Sequence, residues 1–123
     1  MDPRHQARIR IIQNLFAYSY KDSDSVDLPE KNEPVTKAII KLIPKIDPLI
    51  AEQATKFPIK KIARTDLAIL RWGTYELFFK KSLPPKVVIN ESIELAKEIS
   101  GEKSYAFINA VLGKILVKFN LSK

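Results

Sequence analysis

Arginine and histidine crowd the first ten residues of this chain, as Arg4, His5, Arg8 and Arg10. Guanidinium forks match phosphate oxygens two bonds at a time, and their planes stack on unpaired bases. The cluster therefore suits a polyanion, although an exposed histidine in a charged first turn is the plainer reading of His5. Lys103, Ser104, Tyr105 and Phe107 form a second candidate platform where a helix should begin, because the free amides of a helix start favour anions. The ordinary alternative for its aromatic members is the hydrophobic core.

Other chemistries find no residues to carry them. His5 is the only histidine and there is no cysteine, which excludes paired imidazoles, thiolate zinc sites and disulfides. Glu91, Glu94 and Glu98 lie near Lys97 at the spacing of a solvated helix face rather than of an acid–base pair. No G-x-S-x-G elbow and no phosphate-cradling glycine loop occurs. The expectation is a protein that is not an enzyme and holds no cofactor or metal. Asn90 and Asn109 interrupt apolar helices, so their amides should either fix helix contacts or meet RNA. Phe16, Asp66 and Glu76 suggest a spot for a protein partner, against the simpler readings of core for Phe16 and a helix cap for Asp66.

Elements must position these groups, and composition says which kind. A chain of 123 residues with 46% apolar content suits one domain, residues 1–123, with a real core. Three glycines and apolar residues at helical spacing favour an all-α fold, and eight prolines divide it into several helices. No apolar run is long enough to span a bilayer, and the opening Met1-Asp2-Pro3-Arg4 lacks the plan of a secretory signal. A cytoplasmic protein without a membrane partner is expected. The net charge is +7. Residues 1–20 carry three Arg against one Asp, residues 21–56 six Lys against seven acids, and residues 57–123 twelve basic against six acidic groups. The excess sits at the two ends, which a fold could join into one patch attractive to nucleic acid. Solubilising lysines are the alternative.

Asp2 can cap a first helix with Pro3 at its first position, and Ala7, Ile11, Leu15 and Tyr18 mark its apolar face. It should fade near Lys21, before a polar linker, "KDSDSVDLPEKNEP". A second helical region starts near Glu33-Pro34. Pro44 should kink or end it, and Asp47-Pro48 reads as a fresh cap, which leaves one bent helix or two over residues 34–56. A short turn follows Phe57-Pro58. Thr65 or Asp66 then caps "LAILRWGTYELFFKK", in which Gly73 costs about 1 kcal/mol against alanine and suggests another backbone passing close. Pro84-Pro85 precedes two helices separated at Ser100-Gly101.

Three stretches are recognisable. "PPKVVINESIELAKEISGEKSYAFINAVLGKI" closely resembles the carboxy-terminal signature of the NusB family of bacterial transcription antitermination factors. "ARTDLAILRWGTYELFF" is similar to that family's preceding helix and "ARIRIIQNLFAYSY" to its opening helix, so the resemblance spans nearly the whole chain. It departs in a thinner basic start, with His5 and Gln6 where arginines are common, and in Ala106, Ala110 and the Trp72-Gly73 pair.

The resemblance implies an all-helical domain of two packed helical subdomains. It implies binding of single-stranded boxA-like RNA together with NusE, a small-subunit ribosomal protein, within the transcription elongation complex, notably on ribosomal RNA operons. Carried over by motif, Arg4, His5, Arg8, Lys103, Ser104 and Phe107 would meet RNA, and Phe16 and Asp66 would face NusE. A homodimer is the other assembly that the resemblance allows. Two rival readings are a helical adaptor with no RNA role and a relative of the RNA-binding domain of ribosomal RNA cytosine methyltransferases. No methyl-donor domain follows residue 123, which favours a stand-alone factor.

Overall fold

The computed structural model describes residues 2–20, 27–55 and 58–119. Five α-helices account for most of them: α1 (Pro3–Tyr18), α2 (Thr36–Gln53), α3 (Arg64–Thr74), α4 (Pro85–Ile99) and α5 (Glu102–Lys118). A 3₁₀ turn at Ile59–Lys61 precedes α3, and a π-helical segment at Tyr75–Lys80 prolongs it. No strand occurs among the described residues, so the all-α expectation holds. Lys21 and Phe57, where α1 should fade and a turn should open, lie outside the described residues.

The middle helix organises the rest. Every residue of α3 from Asp66 to Thr74 is buried, and α3 touches α1, α2, α4 and α5. The α1–α2 pair and the α4–α5 hairpin thus meet on one central helix, as two packed sets. Trp72, Ile69 and Leu70 are fully enclosed, with Ile12 and Leu15 from α1, Ile39, Ile46 and Ile50 from α2, and Leu95, Ile108, Leu112 and Ile115 from α4 and α5. The i, i+3, i+4 spacing of those residues explains why each helix forms: its apolar stripe has no other place to go. Gly73 permits the closest approach. A Cβ there would stand 3.0 Å from Leu112 Cδ1 and 3.1 Å from Ser92 Oγ, so what comes close is side chains of α4 and α5 and not the backbone expected from sequence.

Helix starts match expectation in one case and differ in two. The Asp2 carboxylate accepts the Arg4 amide at 2.9 Å, with Pro3 next in line. The first turn of α2 is satisfied by Glu33, whose Oε1 accepts the amides of Val35 and Thr36 and the Thr36 hydroxyl. That helix is continuous through Pro44 and Pro48. Each proline removes a backbone donor, yet the fully buried Ile39, Ile46 and Ile50 hold the two halves in line. Asp47 caps nothing; Arg71 grips it through Nε to Oδ1 at 3.0 Å and Nη2 to Oδ2 at 2.8 Å. Likewise neither Thr65 nor Asp66 caps α3, because the helix begins one residue earlier, at Arg64, with both residues already inside its first turn.

The sequence leaves Asn90 and Asn109 two roles, a helix contact or a meeting with RNA. Both are exposed, and among the described residues neither fixes a helix contact. The asparagine that does so is Asn14, fully buried on α1. Its amide donates to the Glu30 carbonyl and to Thr36 Oγ1, and its oxygen accepts the Glu30 amide. It ties the segment before α2 to the core.

Candidate nucleic-acid interface

The start of α1 lies against α4. His5 turns Nδ1 to Glu91 Oε1 and Nε2 to Glu98 Oε2, the latter at 2.6 Å. Arg8 Nη1 is 3.5 Å from the other oxygen of Glu91, and its guanidinium lies 5.6 Å from the centroid of the Trp72 ring. Both nitrogens of one imidazole face carboxylates, so the ring must carry two protons to satisfy them. The hydrogen bonds from Glu98 and then Glu91 hold the His5 pKa above its ordinary value, against a smaller opposing effect of burial. The plainer sequence reading of His5 as exposed is therefore corrected, and Glu91 is largely covered, while Glu94 and Glu98 remain on a solvated face. Glu91 and Glu98 are seven residues apart and share a helix face, and His5 and Arg8 are three apart, but spacing within each helix does not say that α1 and α4 meet.

Arg4 differs from its neighbours in the same helix. Its side chain is 79% exposed, against 19% for His5 and 15% for Arg8, and among the described residues it pairs with Asp2 alone.

The start of α5 is open. Lys103 is exposed and makes no ion pair among the described residues. With Ser104 and Phe107 it lines a depression of about 280 Å³, whose opposite wall is Lys61, Ile62, Ala63 and Asp66. The α3 start and the α5 start thus border one depression, and Gly101, at φ 117°, makes the turn that places α5 there. A side chain at that φ would be strained. Lys61 belongs to the 3₁₀ turn and was not singled out from the sequence; its only signal was adjacency to Lys60 in "IKK".

Phe16 lines a separate and larger depression of about 650 Å³, with Ile9, Ile12, Ala17, Thr65 and Ile99. The structure thus brings Asp66 together with Lys103, Ser104 and Phe107, while Phe16 sits beside Thr65, the preceding residue of α3. Glu76 is buried and receives the Ser82 hydroxyl at 3.4 Å, so it presents little to a partner. The α1 and α5 starts are linked through α4, whose Glu98 holds His5 and whose Ile99 is followed by the turn into α5.

Comparison with known proteins agrees with this architecture. Residues 5–117 match the model of the NusB family. The chain belongs to that family. A transcription antitermination protein NusB of Clostridium botulinum (strain Loch Maree / Type A3) is 47% identical over 100 residues, covering 78% of this chain and 71% of its own length. That of Clostridium perfringens (strain SM101 / Type A) is 48% identical over 71 residues, 58% of this chain and 53% of its own. Among solved structures, T. maritima NusB superposes with a TM-score of 0.79 at 28% identity, covering 95% of this chain and 92% of its own. A NusB crystallised with NusE and double-stranded RNA shares the fold, with a TM-score of 0.78 at 22% identity over 94% of this chain and 96% of its own. Among the described residues no helix is long and apolar enough to cross a membrane, and no acidic or imidazole cluster could hold a metal.

Proposed function

We propose that this chain is a transcription antitermination factor that binds single-stranded boxA-type RNA jointly with NusE within the elongation complex. The observation that carries the reading is the start of α5. There Lys103, exposed and without an ion pair among the described residues, the Ser104 hydroxyl and the Phe107 ring border one depression with Lys61, beside two helix starts. Lysines and helix amides attract phosphate, the hydroxyl donates to it, and an aromatic edge suits an unpaired base. Family membership adds the function that the relatives' names carry, and a protein of the same fold seen with NusE and double-stranded RNA supports NusE and RNA as the classes of partner.

The site divides in two. Lys103, Ser104, Phe107 and Arg4 are the accessible RNA contacts, while His5 and Arg8 must first leave Glu91 and Glu98. Phe16 and Asp66 contribute to the NusE-facing side from neighbouring depressions. Action is by assembly and not by catalysis: charge neutralisation gives a salt-dependent floor of affinity, and NusE raises it, with RNA raising NusE affinity by the same factor.

A fluorescence titration tests this. A boxA-like and a scrambled RNA are compared, each with and without NusE, at two salt concentrations. The expected result is tighter, salt-dependent binding of the boxA-like RNA, enhanced by NusE. Equal and negligible binding of both RNAs, with NusE still bound, would replace the reading with a protein–protein adaptor.

A further inference from the structure

His5 and Arg8 lie where the RNA-binding reading wants cations, yet both are already engaged. Two carboxylates of α4 face them: Glu91 touches both side chains, and Glu98 holds the outer nitrogen of His5. Trp72 closes the inner side of Arg8. A carboxylate offers a guanidinium or imidazolium the same paired oxygens that a phosphate does. We propose that Glu91 and Glu98 act as a built-in competitor for RNA phosphate, an autoinhibitory contact that keeps His5 and Arg8 closed until RNA displaces it. The proposal rests on the RNA-binding reading above and adds to it a threshold.

The two halves of the contact differ in how they open. The Glu98 side chain is 44% exposed, so the outer His5–Glu98 pair is bathed in solvent and weak, as surface pairs are. Glu91 is only 16% exposed, and it binds both cations at once. Opening therefore starts at Glu98 and frees one face of His5. Glu91 and Arg8 follow only when enough phosphate is present to replace both pairs. A stray polyanion meets mainly Arg4 and Lys103, whereas an RNA already anchored at α5 can complete the exchange. Discrimination comes from the repulsive element as much as from the attractive one.

The decisive experiment is a double-mutant cycle on RNA affinity. Wild type, Glu98→Gln, His5→Ala and the double variant are titrated with a boxA-like RNA in the presence of NusE. Glu98→Gln should bind about fivefold tighter, the scale of one exposed pair, and the gain should vanish in the His5→Ala background. Equal affinity of Glu98→Gln and wild type overturns the proposal. So does a gain that persists without His5, since that marks mere loss of negative charge near RNA. Glu98 is an exposed helix residue, so the variant keeps the fold, and circular dichroism verifies it. A wild-type protein that binds no RNA under any condition would instead remove the RNA-binding reading itself, and this threshold with it.

Discussion

At the start of α1, His5 and Arg8 face carboxylates from another helix and are largely covered, Arg8 lying over Trp72. At the start of α5, Lys103 faces solvent with no ion pair among the described residues, beside Ser104 and Phe107. The two regions carry the same sign of charge in the sequence. The difference teaches that a basic residue's availability is decided by what packs opposite it. In α1 the opposing face holds Glu91 and Glu98; at α5 it holds Lys61 and the beginning of α3.

The comparison breaks most sharply at Trp72. This ring forms the floor under Arg8 and is fully buried in the core. Trp72→Ala should cost about 3–5 kcal/mol in a urea titration, the usual scale for truncating a buried aromatic. A loss below about 1 kcal/mol would mean that the ring is not enclosed as described.

Next comes the carboxylate that serves both cations. Glu91→Ala leaves His5 and Arg8 partly buried without their shared partner, which should destabilise the protein by about 1–3 kcal/mol. Lys103→Ala, by contrast, should stay within about 0.5 kcal/mol of wild type, because nothing in the described structure depends on it. Equal losses for the two variants would erase the distinction between a clasp and an open face. In RNA binding the order reverses: Lys103→Ala should lower the salt slope by about one, the mark of one lost phosphate contact.

The pH dependence sharpens the same contrast. His5 has its folded pKa raised by Glu98 and Glu91. Its contribution to stability is therefore complete below its unfolded pKa, about 6.5, and is lost as pH rises through the higher folded value. Urea titrations of wild type and His5→Gln between pH 6 and about 9 should converge as pH increases. Curves that stay parallel would separate His5 from the stability of the α1–α4 contact.

Much of the helical framework was legible because apolar periodicity and punctuation act locally. Pro3 after Asp2, Gly101 after α4, and the stripes that end in the core all point to the elements observed. What local rules misjudge is what tertiary packing overrides. Pro44 reads as a kink or an end and Asp47-Pro48 as a fresh start, which leaves one bent helix or two; three enclosed isoleucines carry α2 through both prolines as one helix. Asp47 reads as a cap, but Arg71, distant in sequence, takes it. At the candidate site the residue types of Arg4, Lys103, Ser104 and Phe107 were legible, whereas the engagement of His5 and Arg8 was not, since it requires knowing that α4 packs against α1. Asn14 escaped notice for the same reason: two of its hydrogen bonds reach Glu30, in a segment with no regular structure, and the third reaches Thr36 at the start of α2.

Because His5 is the single histidine of the chain, its ring can be followed alone, by NMR titration of the imidazole nitrogens in the free protein. The expected result is a pKa raised above about 6.5 in the free protein and restored to the ordinary value in Glu91→Gln/Glu98→Gln. A free-protein pKa at or below the ordinary value, unmoved by removing both carboxylates, would contradict the clasp and with it the contrast between the two helix starts.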